Sequence, residues 1–361
     1  MRALAVALVG AMMGVTGCSL LPRARAPAEP AEAGPCYAAI LQWLQGERSP
    51  ALVAAELWDG KCGPGLKLTT PHYEIFTTVA QPLLLRMVPG FIESAYRGYN
   101  EQLPEPIETS TPFQVYLFAD REQWEDFTND FAGEQAAIFC KIKSGAYYLN
   151  GACVVYDIGS PRTLSALGHE GWHQFNSRHF KYRLPSWLDE GVAMQFEAGV
   201  SEGGLFRFDP AANLQRLRAL QEMLVMGKPI PLRDLVATSP GEVLATDEDH
   251  AVMAFYSQSY ALIRFLCESG YGRYLESYRL LMSDGLQGRW PLDESDGATA
   301  ADRNLPRTLA WNRQVGRQLF EQYIGSDLDR LEQQYLVFCR RITRDLIGTR
   351  TSADDPLAAI P

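Results

Sequence analysis

Two histidines four residues apart, His169 and His173, constrain this chain more than any other feature of its sequence. Residues four apart lie on one face of a helix, one turn above the other, so both imidazoles can bind one metal ion. Glu170 stands between them, where its carboxylate can face a water on that ion. A reactive metal site of this kind keeps one position open and needs a third protein ligand. The fold must therefore bring a second element to this helix.

Two residues compete to be the third ligand. Glu190 lies in the segment Trp187–Ala193 (WLDEGVA), which we expect to form a second helix. His179 completes the pattern HExxHxxNxxH, the metzincin spacing, with Asn176 at the position where that group usually has glycine. Asparagine tolerates the left-handed backbone conformation that a turn needs there. The residues alone leave both ligands possible.

The two segments resemble the gluzincin metallopeptidases. The sequences HEGWHQF (169–175) and PSWLDEGVAMQFE (185–197) are most similar to the peptidase-MA-like families of bacterial proteins, and more distantly to the zinc aminopeptidases. Further along the chain, YSQSYALIRFL (256–266) is similar to the helix that carries a catalytic tyrosine in the aminopeptidases. The resemblance covers about residues 68–285, and its specific motifs lie within 169–197 and 256–266.

This resemblance implies a zinc-dependent peptidase of the gluzincin type. It implies that the Zn²⁺ ligands are His169, His173 and Glu190. Glu170 would take a proton from zinc-bound water, which then attacks the scissile carbonyl. Tyr256 would donate a hydrogen bond to the developing oxyanion, and Tyr260, one turn later, is the alternative for that role.

The strand before the histidine helix bears on the type of peptidase. In the aminopeptidases this strand carries a glutamate that holds the N-terminus of the substrate. Here the comparable stretch is Gly145–Leu149, with Tyr148 at the position of the glutamate, so we expect an endopeptidase. The same strand can pair with an extended peptide or protein substrate. The alternatives are a non-catalytic peptide-binding scaffold of the cell envelope with the same fold, and hydrolysis of a non-peptide amide in the cell wall.

The N-terminus predicts export and lipid anchoring. Arg2 and the apolar run Ala3–Val15 have the form of a signal peptide, and Val15-Thr16-Gly17-Cys18 resembles the cleavage site of bacterial lipoproteins. We expect residues 1–17 to be the signal peptide, with the chain held at a membrane of the bacterial cell envelope through a lipidated Cys18. Residues 18–34, rich in proline and alanine, are expected to be a flexible tether. A plain signal peptide with an incidental cysteine, or a short anchor, is the alternative.

Charge and cysteine content narrow the class of protein further. The formal net charge of −10 argues against a nucleic-acid partner, because such proteins carry a basic surface. Apart from the predicted lipidated Cys18, the chain has six cysteines, an even number that predicts disulfides in an exported protein. The expected pairs are Cys36–Cys62, Cys140–Cys153 and Cys267–Cys339. The alternative is that some of these cysteines are buried thiols.

The order of the predicted elements indicates an α+β fold. Strands are expected at His72–Thr77, at Phe113–Phe118 and in a hairpin within Ala146–Asp157 that turns at Asn150-Gly151. Beyond Ser160 the sequence is mainly helical, and Ser186 and Asp189 are expected to form a capping box. We therefore expect a small mixed or antiparallel sheet packed on a helical half, with the metal site between them.

These boundaries define the expected domain organisation. Residues 35–66 are expected to form a small helical cap, and residues 67–345 a zincin-like catalytic domain. Within that domain, residues 67–157 form the α/β half and residues 158–345 the helical half. The last segment, 346–361, is expected to be a C-terminal tail.

Overall fold

A six-stranded mixed sheet followed by a mainly helical region makes this an α+β structure, as a computed structural model shows. The structure describes residues 35–47, 49–142, 145–245, 249–305, 308–344 and 346. The predicted signal peptide, the tether with Cys18, and the C-terminal tail apart from Leu346 lie outside the described residues. Within the described part of the chain, no helix has both the length and the apolar character needed to cross a membrane.

The elements follow one another in this order. The strands are β1 (Ala54–Gly60), β2 (Gly63–Thr69), β3 (Tyr73–Thr77), β4 (Phe113–Phe118), β5 (Ala146–Leu149), β6 (Ala152–Tyr156), β7 (Gly199–Glu202) and β8 (Leu205–Phe208). The helices are α1 (Tyr37–Gly46), α2 (Pro82–Glu101), α3 (Arg121–Phe131), α4 (Ala136–Phe139), α5 (Ser160–His179), α6 (Ser186–Ala193), α7 (Leu214–Val225), α8 (Leu232–Leu235), α9 (Pro240–Ala245), α10 (Asp249–Glu268), α11 (Leu275–Gln287), α12 (Glu294–Ala301), α13 (Leu309–Tyr323) and α14 (Leu328–Thr343).

The main sheet has the strand order β1-β2-β3-β4-β6-β5. Strands β3, β4 and β6 are parallel, whereas β1, β2 and β5 each pair antiparallel with their neighbours. The predicted strands β3 and β4 and the β5–β6 hairpin are confirmed. Asn150 and Gly151 form the hairpin turn with φ of 49° and 86°, the left-handed conformation that favours an Asn-Gly pair. Strand β5 lies at the edge of the sheet, with one side unpaired within the described structure.

The prediction of a helical cap over residues 35–66 is wrong beyond Gly46. After α1, the chain forms the antiparallel hairpin β1–β2, in which Ala54 pairs with Thr69. Leu66 and Leu68 are fully buried on one side of β2, so the burial pattern has the period of two that belongs to a strand. The chain beyond Gly46 therefore forms strands and does not continue the helix α1.

The sheet separates two apolar cores. Strand β6 contributes to both, since Val154 packs with Trp124 of α3 on one face, while Cys153 and Val155 face the larger core on the other. The larger core includes buried residues of α2, α5, α6 and α10. Helix α5, which carries the two histidines, therefore lies on the opposite side of the sheet from α3.

The three expected disulfides are absent from the structure, in which the six cysteines among the described residues are free thiols. Cys153 lies in the larger core, whereas Cys140 follows α4 beside α3 across the sheet, where Arg121 donates to its carbonyl. Cys267 and Cys339 lie on different helices and contribute to the larger core as small apolar side chains. Burial raises the pKa of both of these thiols to about 12.

A glycine lets α6 approach α10 closely. A Cβ atom built on Gly191 would lie 2.7 Å from both the Ser259 carbonyl oxygen and Ile263 Cγ1. A real side chain does not tolerate such contacts, and the carbonyl belongs to the backbone of α10, which cannot yield easily. Since Glu190 is the adjacent residue of α6, this packing also sets how far Glu190 lies from α10.

We therefore expect Gly191→Ala to lower the free energy of unfolding by about 1–3 kcal/mol, the usual penalty of overpacking. The matched control is Gly241→Ala in α9, because a Cβ atom there meets nothing within 4 Å. Chemical denaturation of both variants measures the difference. Equal stability of the two variants would contradict the close packing of α6 on α10.

Candidate metal centre

Helix α5 carries His169, Glu170 and His173 in a buried position. Pro161 lies in its first turn, where proline has a suitable φ and no needed N–H group. The helix is anchored by Trp172 and Phe175, which are fully buried in the larger core. This packing leaves the two histidines facing α6, the helix that carries Glu190.

The structure brings together the three predicted ligands. Glu190 Oε2 lies 3.3 Å from His169 Nε2 and 3.8 Å from His173 Nε2. Each residue offers one potential metal-ligand atom, and these three atoms lie within 4.8 Å of one another. His169, His173 and Glu190 are 3%, 6% and 4% exposed, so the cluster is closed to solvent. This buried group can hold a metal ion.

His179, the alternative third ligand, lies elsewhere. Helix α5 continues unbroken through His179, so the turn that would return this side chain to the other histidines does not form. Its Nε2 lies 2.9 Å from Thr109 Oγ1, and its ring packs against Phe113 and Phe175. Burial, followed by the nearby charge of Arg178, lowers the pKa of His179 to about 4.

Each histidine contacts a further carboxylate through Nδ1, the ring nitrogen that does not face Glu190. His169 Nδ1 lies 3.0 Å from Glu197 Oε1, and His173 Nδ1 lies 2.9 Å from Asp189 Oδ1. When each Nδ1–H donates to its carboxylate, each Nε2 lone pair is left facing Glu190. These contacts fix the tautomer and the orientation of both rings, as an ion-binding histidine requires.

The predicted capping box at the start of α6 is therefore wrong. Pro185, and not Ser186, is the N-cap of α6, and it makes no side-chain capping bond. Asp189 accepts from His173 and from Asn176 Nδ2 at 2.8 Å, and its backbone N–H donates to the carbonyl of Pro185. Ser186 donates its hydroxyl to Asn312 Oδ1 at 2.8 Å, which ties α6 to α13. Both side chains meet partners distant in sequence, and these contacts replace the local capping bonds.

Glu197 accepts hydrogen bonds from two residues at the start of α7, namely Asn213 and Arg216. Arg216 donates to both carboxylate oxygens, at 2.8 Å from Nε and 2.6 Å from Nη2. Asn213, the N-cap residue of α7, donates from Nδ2 to Glu197 Oε2 at 2.9 Å. Although burial raises the pKa of Glu197, the charge and hydrogen bonds of Arg216 outweigh it and hold that pKa far below the usual range.

The neighbouring carboxylates raise the pKa values of both histidines. Burial alone would lower the pKa of His169, but its hydrogen bonds with Glu190 and Glu197 outweigh burial and raise the pKa to about 10. Burial likewise opposes protonation of His173, whose pKa is nevertheless raised by the charge and hydrogen bond of Asp189. The carboxylates around His169 and His173 thus favour a positive charge on these two side chains.

Glu170 is the one carboxylate of the cluster without a partner. It is fully buried, and neither of its oxygens has a hydrogen-bond partner among the described residues. Burial is the largest effect on this group and raises its pKa to about 7, against the opposing charges of His173 and His169. An unpartnered buried carboxylate is costly in free energy, which makes Glu170 a candidate functional residue.

The two tyrosines of α10 have different surroundings. Tyr256 is 1% exposed, and burial, followed by the charge of Glu190, raises its pKa well above the ordinary value. The hydroxyl of Tyr260 donates to the carbonyl of Pro210 and accepts from Arg264 Nη1 at 3.1 Å. The hydroxyl of Tyr260 is thus bonded within the fold, whereas the ring centroid of Tyr256 lies 5.5 Å from the guanidinium carbon of Arg216, which binds Glu197.

Sequence reasoning missed three residues of the site. Asp189 and Glu197 lie within the motif that suggested Glu190, and Glu197 follows Glu190 by seven residues, which is two helical turns. That spacing was a usable signal, although the chain turns into a 3-10 helix before Glu197. Arg216 is distant in sequence and lies in no motif, so the sequence gives no indication of its contact with Glu197.

Comparison with known proteins adds no family to this description. No protein-family model matches the chain, and no curated protein matches it.

The metal cluster predicts different effects for two substitutions. Glu190→Gln should weaken Zn²⁺ or Co²⁺ binding by more than the roughly 10–100-fold that loss of an outer hydrogen-bond partner costs, because it removes an anionic ligand. His179→Gln should leave binding unchanged, since His179 contacts Thr109 and not the cluster. Competition with a chromophoric chelator measures both affinities. Weaker binding in His179→Gln than in Glu190→Gln would contradict this assignment of ligands.

Proposed function

We propose that this protein is a zinc-dependent peptidase, and that it cleaves within peptide or protein substrates. The observation that carries the proposal is Glu170, a buried and unpartnered carboxylate adjacent to the cluster of His169, His173 and Glu190. A metal site with only a structural role has no need of such a group. A hydrolytic site needs it, because a water must lose a proton as it attacks.

The donor set and its spacing support zinc as the ion. Two imidazoles and one carboxylate leave a fourth tetrahedral position open, which is typical of catalytic zinc. Zinc bonds of about 2.0–2.1 Å place the ligands of a tetrahedron about 3.3–3.4 Å apart. Glu190 Oε2 lies 3.3 Å and 3.8 Å from the two imidazole Nε2 atoms, which is close to this spacing.

Glu170 is suited to move the proton. When bound, a zinc ion makes water acidic enough to attack near neutral pH and polarises a carbonyl. Burial raises the pKa of Glu170 to about 7, so this carboxyl can both accept and release a proton near neutral pH. It would take the proton of the attacking water and pass it to the leaving amine.

Tyr256 is suited to stabilise the oxyanion. Its raised pKa keeps the phenol protonated at neutral pH, as a hydrogen-bond donor must be. A donor of this kind contributes about 2.7–4 kcal/mol to transition-state stabilisation in other hydrolases. Asp189 and Glu197 would hold the imidazoles in place throughout the reaction.

The edge of the sheet supports a peptide substrate. Strand β5 has an unpaired edge within the described structure, and an extended peptide can add to such an edge through main-chain hydrogen bonds. Tyr148 of this strand donates its hydroxyl to Ser177 Oγ of α5 at 2.9 Å. It offers no carboxylate for a substrate amino terminus, which favours cleavage within a chain over removal of its first residue.

The closed cluster favours one second candidate, a peptide-binding scaffold that does not cleave. Glu170 is fully buried and the three ligands are at most 6% exposed, so a substrate reaches them only if the surrounding elements separate. A bound metal would then stabilise the fold without turnover. Casein cleavage that a chelator abolishes and added zinc restores would decide for the peptidase.

The peptidase proposal also includes a location. The substrate would lie in the bacterial cell envelope, where a lipidated Cys18 would hold the protein.

The role of Glu170 predicts the effect of Glu170→Gln. The variant should retain zinc, because Glu170 is not a ligand, but lose about 10²–10⁴-fold in kcat, the usual contribution of general acid–base catalysis. Glu93→Gln is the matched control, since Glu93 is also a buried carboxylate but binds Thr70 and His72. Its kcat should stay near the wild-type value. Casein hydrolysis by zinc-loaded Glu170→Gln at the wild-type rate would exclude this base.

A further inference from the structure

Arg216 is a buried cation that the proposed chemistry does not use. It lies in the first turn of α7, and 8% of its surface is exposed. Its Nε and Nη2 donate to the two oxygens of Glu197, at 2.8 Å and 2.6 Å. The planar guanidinium therefore meets the planar carboxylate edge to edge, and this two-point contact fixes the plane of the carboxylate.

The orientation of Glu197 is passed on to a ligand of the cluster. The Oε1 atom that accepts from Arg216 also lies 3.0 Å from His169 Nδ1. On the opposite side of that imidazole, Nε2 lies 3.3 Å from Glu190 Oε2. A rotation of the Glu197 carboxylate would turn the imidazole and displace the nitrogen that binds the ion.

Arg216 also contacts the proposed oxyanion donor. Its guanidinium carbon lies 5.5 Å from the centroid of the Tyr256 ring, within the range of a cation–π contact. One side chain thus supports both a metal ligand, through Glu197, and Tyr256, directly. The metal ligand His169 lies on α5 and Tyr256 lies on α10, so Arg216 of α7 links these two helices.

The start of α7 is built around the same carboxylate. Asn213 accepts from the backbone N–H of Arg216 at 3.2 Å, which caps the helix, and donates to Glu197 Oε2 at 2.9 Å. It also donates to the carbonyl of Met194 at 3.3 Å, near the end of the segment that contains Glu190. The position of Arg216 along α7 is therefore fixed relative to Glu197.

We propose that Arg216 is a positioning residue of the metal centre, which sets the orientation of His169 through Glu197 and holds the ring of Tyr256 against the same site. It binds neither the ion nor the substrate. This inference rests on the proposed function, although its effect on metal binding can be measured without any substrate. If Arg216 served only to stabilise the fold, its replacement would lower the free energy of unfolding and leave the geometry of the bound metal unchanged.

The chain contains a matched control for this role. Arg264 of α10 is 6% exposed and donates to both oxygens of Glu268, at 2.6 Å and 2.9 Å. It also donates to the hydroxyl of Tyr260. Arg264 is thus a buried arginine that joins a glutamate and a tyrosine, as Arg216 does, but its partners are not part of the metal cluster.

The experiment compares Arg216→Lys with Arg264→Lys in the full chain. Lysine keeps the charge but loses the two-point contact. Arg216→Lys should weaken Zn²⁺ binding about 10–100-fold, the range for loss of an outer partner of a ligating histidine. It should also shift the visible absorption bands of the Co²⁺-loaded protein, and lower kcat on casein peptides more than it raises KM. Arg264→Lys should match the wild type in all three measurements.

Asn213→Ser provides a second test if Arg216→Lys does not fold. Serine keeps the helix cap but removes the amide that donates to Glu197. The variant should weaken metal binding in the same direction and by less. A wild-type metal affinity and Co²⁺ spectrum in Arg216→Lys, or in Asn213→Ser where Arg216→Lys is unfolded, would overturn the positioning role. So would an equal loss in Arg264→Lys.

The outcomes separate this inference from the proposed function. If the wild type binds zinc but does not cleave casein, the peptidase proposal fails, while the affinity and the Co²⁺ spectrum still decide the role of Arg216. If the wild type cleaves casein and Arg216→Lys equals it in every measurement, only the positioning role fails. If the wild type takes up no metal, both proposals are overturned.

Discussion

The concentration of buried negative charge around two histidines is the constraint on which the rest of this structure depends. Four carboxyl groups, those of Glu170, Asp189, Glu190 and Glu197, converge there, and the guanidinium of Arg216 binds one of them, Glu197. Buried carboxylates are costly unless opposite charge or hydrogen bonds compensate them. A proton on His169, whose pKa is raised to about 10, offsets part of this charge. A divalent cation in its place would offset more, so this buried group could bind a metal ion.

The fold supplies this cluster by bringing helices together from distant parts of the chain. Helix α5 packs its apolar face on the sheet, α6 approaches α10 through Gly191, and α7 reaches Glu197 from the other side. His169, His173 and Glu197 each have a hydrogen bond to a different element, whereas neither oxygen of Glu170 has one among the described residues. The arrangement therefore separates groups that are fixed in place from the one that is available to a water. That separation is the physical basis of the proposed chemistry.

The sequence was sufficient to predict features that depend on local periodicity. The spacing of His169 and His173 predicted a shared helical face, and the Asn150-Gly151 pair predicted the hairpin, both of which the structure confirms. The preference for Glu190 over His179 came from resemblance, and in the structure Glu190 lies beside both histidines, whereas α5 continues unbroken through His179. The prediction of disulfides failed because cysteine count carries no information on which face of a sheet a thiol occupies.

Tertiary contacts explain the remaining errors. Asp189 has the spacing of a capping residue after Ser186, but it binds His173, whose position depends on how α5 packs against α6. Arg216 contacts Glu197 across 19 residues, and no local pattern indicates that pairing. These residues were identified only from the folded structure, because their roles depend on three-dimensional proximity and not on sequence spacing.

The most direct test of the account is anomalous scattering at the zinc edge from a crystal of the zinc-loaded protein. The proposed ligand set predicts one strong peak within bonding distance of Nε2 of His169, Nε2 of His173 and the carboxylate of Glu190. A zinc peak bound by His179 in place of Glu190, or no peak between the two histidines, would contradict it.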